Sequence, residues 1–437
     1  MQKIRIPFDP FPDLEARIPK DIKVHQLAPK SIMKAPEPKK LLFEALENPM
    51  GSSPISQMLQ EKAKILNKAL KNLKILLLCD DHTRMTPLHL LIPWFSEILA
   101  KCGISFNNIT ILIAGGSHRS MTPLEIEEKF GEWVCSHIEI VQHEFNASDQ
   151  LISLGTTHRG IEVIVNKIIQ DYDFICALGN IVPHEIAGFS GGAKMILPGI
   201  STKDTVGEFH WLSTKTPFNR RLGSISNPIR SAINDVLELV QLDFIINTVL
   251  NSAHEIVKIY AGHPITAHQG GCIESKRIYG VSATATEIVL TDTEPEHTDF
   301  WTAVKGIIHT ASFVQEGGIL ICATACPEGL CKEHPQILEM GYNSPEHLEK
   351  TFLIRKHSQK KEYNRLTATH CANLWEIIQH CEIFLVTEGI SKHDAEFLGF
   401  RHFTNLQAAV NEALELKPKC KSINLIRNGA EILFAND

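Results

Sequence analysis

The stretch KILLLCDDHTRMTPLHLLIPWFSEILAKCGISFNNITILI, residues 74–113, decides the fold. It begins and ends with short apolar runs, Lys74–Cys79 and Ile109–Ile113, which are typical of buried strands. Between them, the apolar residues from about Leu88 to Lys101 repeat at helical spacing. A strand, a helix and a second strand in this order predict a parallel sheet, because parallel neighbours need a crossover connection.

The same alternation continues along the chain. A helix from Pro123 to Phe130 is predicted to begin at Thr122, whose hydroxyl suits a helix N-cap, and proline is favoured at the first helical position. A strand is expected at Asp173–Leu178. Beyond residue 282 a second set of elements is predicted, with strands at Glu287–Leu290, Gly318–Ala323, Ile383–Val386 and Ser422–Ile426 and a helix at Asn405–Leu416. The fold class is therefore α/β.

The length of 437 residues exceeds what one ordinary core supports, so two domains are expected. The pattern is interrupted between Tyr260 and Ser282. We predict an N-terminal cofactor-binding and catalytic domain at residues 1–265 and a C-terminal domain at residues 275–437. Both have mostly parallel sheets, and the active site lies in the cleft between them. The Pro- and Lys-rich first 40 residues, with a strand at Gln2–Ile6, are expected to wrap over a domain surface.

Composition excludes several classes of protein. The formal net charge is −7 and basic residues are scattered, so neither nucleic acid nor an anionic membrane is an expected partner. The first residues lack the apolar core of a secretory signal, and no apolar run is long enough to span a bilayer, so a cytoplasmic protein is expected. The spacing of Cys322, Cys326 and Cys331 fits no common zinc pair, and we interpret them as reduced structural thiols.

Polar residues gather in three loops that follow predicted strands. Asp80–Pro87 follows the first strand, and Gly115–Arg119 follows the second. The third loop follows Asp173–Leu178 and leads into a helix, and residues 180–210 read NIVPHEIAGFSGGAKMILPGISTKDTVGEFH. In open α/β sheets, ligands bind beyond the carboxyl ends of the strands. These loops are therefore predicted to form one site.

The loops resemble the nickel-dependent lactate racemase family. The motifs that carry the resemblance are Asp81-x-Thr83-Arg84-x-Thr-Pro, Gly116-Ser-His118-Arg119 and Gly179-Asn-Ile-x-Pro-His184-x-x-Ala-Gly-Phe-Ser-Gly-Gly-x-Lys194, with His210 beyond them. Their order and spacing match over roughly residues 40–310, with weaker similarity to the C-terminus. The resemblance implies a racemase or epimerase that inverts C2 of a 2-hydroxyacid.

The resemblance also implies a cofactor and residue roles. The cofactor is a nickel-pincer nucleotide tethered to a lysine, here Lys194, with His210 as the nickel ligand. His118 and His184 match the two catalytic histidines. Asp81, Thr83 and Arg84 fall at cofactor-binding positions, and Arg84 also suits a substrate carboxylate. Enzymes that make the cofactor are implied partners.

Two histidines suit this reaction on chemical grounds. If the hydrogen at C2 leaves as hydride, the hydroxyl proton must leave with it, and each enantiomer needs its own base. Imidazole titrates near neutral pH, so histidines on separate loops such as His118 and His184 can exchange acid and base roles. Taken alone, His118 is typical of a hydrogen-bonded loop residue, and His184 is equally consistent with a packed histidine.

The sequence departs from the family where it would contact the substrate. Trp301-Thr302 stands where lactate racemases have Tyr-Gln, and His297 replaces an acid, while Lys305 matches the substrate-binding lysine. The resemblance implies substrate contacts by Arg84, Trp301, Thr302 and Lys305. The departures weaken the case for lactate and leave open a different 2-hydroxyacid, one that is longer, aromatic or polyhydroxylated.

Two other hypotheses stay open at this point. His118, His184 and His210 are also consistent with the ligand set of a zinc-dependent hydrolase or lyase. Alternatively, the chain is a catalytically silent member of the same fold. The particular 2-hydroxyacid, the source of the cofactor and the oligomeric state are left open by the sequence.

Overall fold

The computed structural model describes residues 1–357 and 364–435. The strands are β1 Gln2–Phe8, β2 Phe11–Ile18, β3 Lys23–Leu27, β4 Ile75–Cys79, β5 Ile109–Ile113, β6 Glu139–Gln142, β7 Leu151–Thr156, β8 Glu162–Asn166, β9 Phe174–Asn180, β10 Pro183–His184, β11 Gly188–Phe189, β12 Phe244–Leu250, β13 Ile256–Gly262, β14 Gly280–Val281, β15 Thr286–Thr291, β16 Val314–Ala323, β17 Glu382–Val386, β18 Arg401–Phe403, β19 Ser422–Ile426 and β20 Leu433–Phe434. The α-helices are α1 Pro38–Glu47, α2 Ile55–Ile65, α3 Leu88–Lys101, α4 Pro123–His137, α5 Lys203–Trp211, α6 Phe218–Arg221, α7 Pro228–Asp235, α8 Thr266–Tyr279, α9 Phe300–Thr310, α10 Ile337–Met340, α11 Pro345–His357, α12 Arg365–His380, α13 Lys392–Phe397 and α14 Leu406–Leu416.

The first six-stranded sheet has the order β13-β12-β9-β4-β5-β6. All neighbours are parallel except β13, which is antiparallel to β12. The chain runs outward from β4 through β5 to β6, and then returns to β9 on the other side of β4. The strand order therefore reverses between β4 and β9, and a crevice opens at the carboxyl ends of these two strands.

The second six-stranded sheet has the order β18-β17-β16-β15-β19-β3 and is parallel throughout. Its strand order reverses between β15 and β19, so a second crevice opens at the carboxyl ends of those strands. Two α/β units with mostly parallel sheets confirm the predicted fold class.

Both sheets are covered on both faces, as near-continuous apolar strands predict. In β4, Ile75 and Leu77 belong to one core and Leu76 and Leu78 to the other. The second sheet is likewise buried between two apolar clusters. Because successive strand side chains point to opposite faces, a five-residue apolar run such as β4 fills two cores.

The beginning of the chain joins the second sheet. Strand β3 pairs in parallel with β19, and Ile4, Ile6 and Phe8 of β1 pack into a core of that sheet. The predicted domain of residues 1–265 thus includes a segment that belongs structurally with the later strands. The sequence did not predict β3, because this strand is short and has no fully buried residue. The exact division of the chain stays a prediction.

The local signals around Thr122 are confirmed. Its hydroxyl accepts from Glu125 N, and the Glu125 side chain accepts from Thr122 N at 2.7 Å, which forms a capping box. Helix α4 extends past the predicted end at Phe130, but Gly131 has a φ of 81° and interrupts it there.

Helix α5 of the first unit packs closely on α12 of the second. A Cβ atom at Gly207 would lie 2.9 Å from both Arg365 Cβ and Leu366 N. Only glycine permits this close approach between the two units. Among the described residues, no helix is long and apolar enough to cross a membrane.

Candidate active site

One cavity of about 1110 Å³, part of which is open to solvent, lies between the two units. The first sheet contributes the loops after β4, β5 and β9 together with α5, and the second contributes α9 and α12. Of the residues that the sequence singles out, nine line this cavity: Asp81, Thr83, Arg84, His118, His184, Lys194, His210, Trp301 and Lys305.

Asp81 orients His118. Its Oδ2 lies 2.7 Å from His118 Nδ1, and its Oδ1 accepts a hydrogen bond of 2.6 Å from the Thr83 hydroxyl. Burial alone would raise the pKa of Asp81, but the charge and hydrogen bond of His118 lower it well below the usual range. A carboxylate at Nδ1 keeps the proton on that nitrogen, so Nε2 is free to accept one.

His184 has a different environment. It lies on β10, which pairs with β11, and its Nδ1 accepts from Ile186 N at 3.2 Å and from Ala187 N at 3.3 Å. Burial lowers the pKa of His184 well below its usual value, and nearby Lys194 adds to the effect. The imidazole is therefore neutral at neutral pH.

The short β10–β11 hairpin depends on Gly188. This residue has a φ of +80°, and a Cβ atom there would lie 1.9 Å from Ser224 O. Any other residue would be strained and would displace the segment that positions His184.

Lys194 lies in the 3₁₀ turn Gly192–Met195, which is anchored where Gly192 N donates to Asn247 Oδ1 at 2.9 Å. Burial lowers the pKa of Lys194 well below its usual value, and the positive charge of Arg84 lowers it further. Burial therefore favours the uncharged amine, whose lone pair is available and which is the form that makes covalent bonds.

His210 lies in the last turn of α5, whose N-terminus is capped by Thr202. Burial and the neighbouring Lys194 lower its pKa to about 3. A neutral imidazole is the form that binds a metal. Among the described residues, no group of three or more His, Cys, Asp or Glu side chains is placed to hold a metal ion.

Glu296 joins the two units and was not singled out from the sequence. It forms an ion pair with Arg84 and lies 2.6 Å from Lys305 Nζ. Burial would raise the pKa of Glu296, but Lys305 and Arg84 lower it below its usual value. The Glu296 carboxylate therefore positions both candidate substrate-binding cations. Its place in the sequence, nine residues before Lys305, is the feature from which it could have been predicted.

Trp301 stacks between two imidazoles. Its ring centroid lies 3.9 Å from that of His334 and 4.2 Å from that of His370, with interplanar angles of 25° and 9°. The ring is thereby fixed in the wall of the cavity. His370 lines the same cavity, although nothing in the local sequence pattern distinguishes it.

Thr302 is not brought into the main cavity. Its hydroxyl donates to Asp299, at 2.8 Å from Oδ1, and its backbone N–H is capped by the same carboxylate. Thr302 lines a smaller neighbouring cavity instead. Its predicted contact with substrate stays a prediction, and the observed hydrogen bonds are those of a helix start.

Two family models match the chain. The model for the lactate racemase N-terminal domain matches residues 12–221, and the model for the lactate racemase C-terminal domain matches residues 281–434. The chain belongs to the lactate racemase family. The resemblance of the loop motifs is thus confirmed.

Individual relatives in the family are similar over much of the chain. A lactate racemase from Thermoanaerobacterium thermosaccharolyticum is 34% identical over 292 residues, which is 66% of each chain. One from Lactiplantibacillus plantarum is 30% identical over 293 residues, 65% of this chain and 66% of that one. The aligned region thus spans just under two thirds of the length of these relatives.

Solved structures extend the similarity to the whole fold. The lactate racemase apoprotein from T. thermosaccharolyticum superposes with a TM-score of 0.82 at 28% identity, with all of both chains covered. A Thermotoga maritima protein superposes with a TM-score of 0.68 at 22% identity, over 88% of this chain and 99% of that one. The second similarity is one of fold alone.

Proposed function

We propose that this member of the lactate racemase family inverts C2 of a 2-hydroxyacid by proton-coupled hydride transfer to a lysine-tethered nickel-pincer nucleotide. One observation carries the proposal: His118, His184, Lys194 and the neutral imidazole of His210 line a single cavity, where burial lowers the pKa of the Lys194 amine. The names of the relatives, lactate racemase, support the type of reaction.

The residues present fit such a cofactor. Burial favours the unprotonated amine of Lys194, the form that a covalent tether requires, and His210 offers one metal ligand. A single imidazole suits a nickel ion whose other ligands belong to the cofactor. Asp81, Thr83 and Arg84 would hold the cofactor beside them. When bound, the nickel-pincer nucleotide supplies a pyridinium carbon that accepts a hydride and returns it.

The two catalytic histidines would handle the proton. As C2 of the substrate loses hydride, its hydroxyl loses a proton, and the product of this half-reaction is a planar 2-oxoacid. Asp81 leaves Nε2 of His118 as the nitrogen that accepts the proton, and His184 serves the opposite enantiomer. Hydride and proton then return to the other face, which inverts the centre.

Arg84 and Lys305 would bind the substrate carboxylate. Both contact Glu296, so the substrate would share the two cations with this carboxylate. Hydrogen bonds to charged groups stabilise by about 1.5–3 kcal/mol each, enough to orient a small acid. The burial of Lys305 limits the access of water, which strengthens these interactions.

The relatives' names make lactate one candidate substrate, and the stacked Trp301 favours a different 2-hydroxyacid. The indole is held between the imidazoles of His334 and His370, and both Trp301 and His370 line the cavity, so this part of its wall is aromatic. Longer, aromatic and polyhydroxylated side chains all suit an aromatic wall, and a polyhydroxylated acid would make the reaction an epimerisation. The proposal includes a cytoplasmic location and cofactor-biosynthesis enzymes as partners.

The decisive experiment measures the intact mass and nickel content of protein produced in a host that makes the cofactor. We expect added mass on the peptide that contains Lys194, near-stoichiometric nickel, and interconversion of the stereoisomers of at least one acid in a panel of 2-hydroxyacids. An unmodified Lys194 with zinc or no metal, despite such a host, would overturn the proposal.

A labelled substrate tests the hydride route separately. A 2-hydroxyacid deuterated at C2 should react more slowly than the unlabelled acid and should keep most of its deuterium through inversion. Rapid exchange of the label with water would instead indicate proton abstraction to a carbanion.

The hydrolase or lyase alternative requires a zinc ion held by three side chains. The described residues contain no group of three placed to hold an ion, and His118 Nδ1 is occupied by Asp81. A silent binding protein with this fold would give no turnover in the same panel of acids although it carried the adduct.

A further inference from the structure

We propose that the substrate is a 2-hydroxyacid whose side chain is apolar and longer than a methyl group, and that this side chain packs between helices α9 and α12. The inference rests on the proposed function, because it names the class of acid that the same site would take. It selects among the longer, aromatic and polyhydroxylated side chains that the sequence leaves open, and it excludes the polyhydroxylated class.

One face of each helix lines the cavity. The residues of α9 that do so are Trp301, Val304, Lys305 and Ile308. The residues of α12 that do so are Leu366, Thr369, His370 and Asn373. Both sets are spaced by three or four positions, and side chains at these spacings are neighbours on one side of a helix. The second unit therefore meets the cavity with two continuous helix faces.

Lys305 decides which of these residues a substrate would meet. In the proposed reaction its ammonium binds the carboxylate, together with Arg84. Trp301 lies about one turn before Lys305 and Ile308 about one turn after it, on the same face of α9. The side chain of a 2-hydroxyacid starts at the carbon next to the carboxylate, so it would begin beside this face.

The apolar residues of the two faces are buried although they line the cavity. Val304, Ile308 and Leu366 are 3%, 4% and 1% exposed, and they belong to the hydrophobic cores of the two units. Their side chains have no polar atom. Apolar groups of a substrate would lose contact with water favourably there, whereas a hydroxyl would lose its water without gaining a partner.

Two polar residues of α12 already use their side chains in hydrogen bonds within the protein. The Thr369 hydroxyl donates to Arg365 O at 2.9 Å. The amide of Asn373 donates to Ser213 Oγ at 2.9 Å and accepts from Arg221 at 2.8 Å, so both of its ends are bonded. A substrate with several hydroxyls would have to compete with these bonds, and a buried hydroxyl without a partner costs free energy.

His370 is the exception on this face. Its Nε2 is out of contact with solvent and has no hydrogen-bond partner in the part of the chain that the structure describes. Burial lowers the pKa of His370 to about 4, so the imidazole is uncharged at neutral pH, and it stacks on Trp301. One neutral nitrogen can satisfy one hydroxyl, which is too few for a polyhydroxylated chain.

A matched pair of acids tests the proposal on the cofactor-loaded enzyme. 2-Hydroxyhexanoate and 2,3,4,5,6-pentahydroxyhexanoate have the same carbon chain, and only the second carries hydroxyls beyond C2. We expect kcat/KM for inversion at C2 to be at least about tenfold higher for 2-hydroxyhexanoate, because an apolar pocket discriminates against a single added hydroxyl by about 100-fold. It should also exceed kcat/KM for lactate by at least about tenfold, because each methylene in such a pocket is worth about 10–200-fold.

A preference of less than about tenfold over either the pentahydroxylated acid or lactate would overturn the proposal. An enzyme that gave this result would still invert an acid, so the proposed function would stand. 3-Phenyl-2-hydroxypropanoate extends the panel to an aromatic side chain and should likewise be inverted faster than lactate.

A substitution on α9 tests the location. Val304→Thr keeps the shape of the side chain and adds a hydroxyl, so it should lower the preference for 2-hydroxyhexanoate over its hydroxylated partner by about tenfold. Ile273→Thr, at a residue of α8 that is 65% exposed, is the control and should leave the preference unchanged. Nickel and added mass show whether Val304→Thr is folded. An unchanged preference in the folded variant would overturn the proposed location.

Binding separates a failure of this inference from a failure of the proposed function. If no acid is inverted, the proposed function fails, and calorimetric titration of the full-length protein with the same matched pair still decides the class of ligand. We expect tighter binding of 2-hydroxyhexanoate with a negative heat-capacity change, which is the signature of apolar burial. Equal or tighter binding of the pentahydroxylated acid would overturn the inference.

Discussion

The two walls of the cavity differ in what burial does to their charges. On the wall from the first sheet, burial lowers the pKa of Lys194, His184 and His210, which favours the neutral form of all three. Next to the wall from the second sheet, Glu296 keeps its charge because the cavity-lining residues Lys305 and Arg84 contact it. A buried group stays ionised only where a partner is in contact.

The difference separates chemistry from recognition. Neutral amines and imidazoles can form a tether, bind a metal or accept a proton, whereas a charged pair can orient an anionic substrate. Among the described residues, no carboxylate lies within ion-pair distance of Lys194, while Lys305 lies 2.6 Å from Glu296. Substitutions on the two walls should therefore fail in different ways.

The largest effect is expected at the tether. Lys194→Ala should lose the covalent adduct and all turnover, because no other amine occupies its place. Intact mass after production in a cofactor-competent host measures the result. Lys203→Ala, at the start of α5, is the matched control and should keep the adduct. An adduct that persists without Lys194 would contradict its assignment and remove the contrast between the walls.

The next largest effect is expected at the two histidines. His118→Ala and His184→Ala should each lower kcat by about 10²–10⁴-fold, the usual contribution of a general acid or base. Nickel and added mass should stay, because neither residue holds the cofactor. His393→Ala, whose side chain is 88% exposed, should change nothing. If nickel disappeared with either histidine, that residue would be a ligand and the proposed division of roles would be wrong.

Glu431 follows β19 and is buried, and it lines the same small pocket as Glu296. Burial and the charge of Glu296 raise its pKa from 4.5 to about 8, so it is neutral in the folded protein at pH 7. In the unfolded chain, the pKa of Glu431 has its ordinary value of 4.5. Its contribution to stability is therefore fully present below 4.5 and is lost as the pH rises through about 8.

Glu431→Gln should remove this loss. Relative to the unmodified protein, the variant should gain roughly 1.4 kcal/mol in the free energy of unfolding for each pH unit between the two pKa values. Urea unfolding at pH 5 and pH 8 measures the gain, and Glu396→Gln, at a half-exposed acid, serves as the control. Equal pH dependence in Glu431→Gln and the unmodified protein would contradict the buried, protonated state.

The smallest effect is expected at the aromatic wall. Trp301→Tyr introduces the residue of lactate racemases and should shift the ratio of kcat/KM for lactate to that for the preferred acid by up to about tenfold, as small changes in pocket shape do. Trp133→Tyr, which lies on α4 beside Phe106, is the control. An unchanged ratio would show that Trp301 does not select the substrate.

Local patterns were sufficient for much of the fold. The strands β4, β5 and β19 and the helix α3 lie where the sequence predicts them, because apolar periodicity and capping residues act within a few positions. Strand β3 was not predicted, because five partly exposed residues carry no such pattern and only β19 gives them a partner.

The candidate site likewise combines residues that the sequence predicts with contacts that it does not. The sequence by itself determined which loops carry histidines, lysine and arginine, since the motifs are contiguous and their order fixes their strands. Their roles remain proposals. Only the tertiary structure decided the pairings of Glu296 with Arg84 and of Glu185 with His309, and the stacking of His334 and His370 on Trp301. These contacts join residues that are far apart in the chain, and no local pattern encodes which distant side chains will share a buried space.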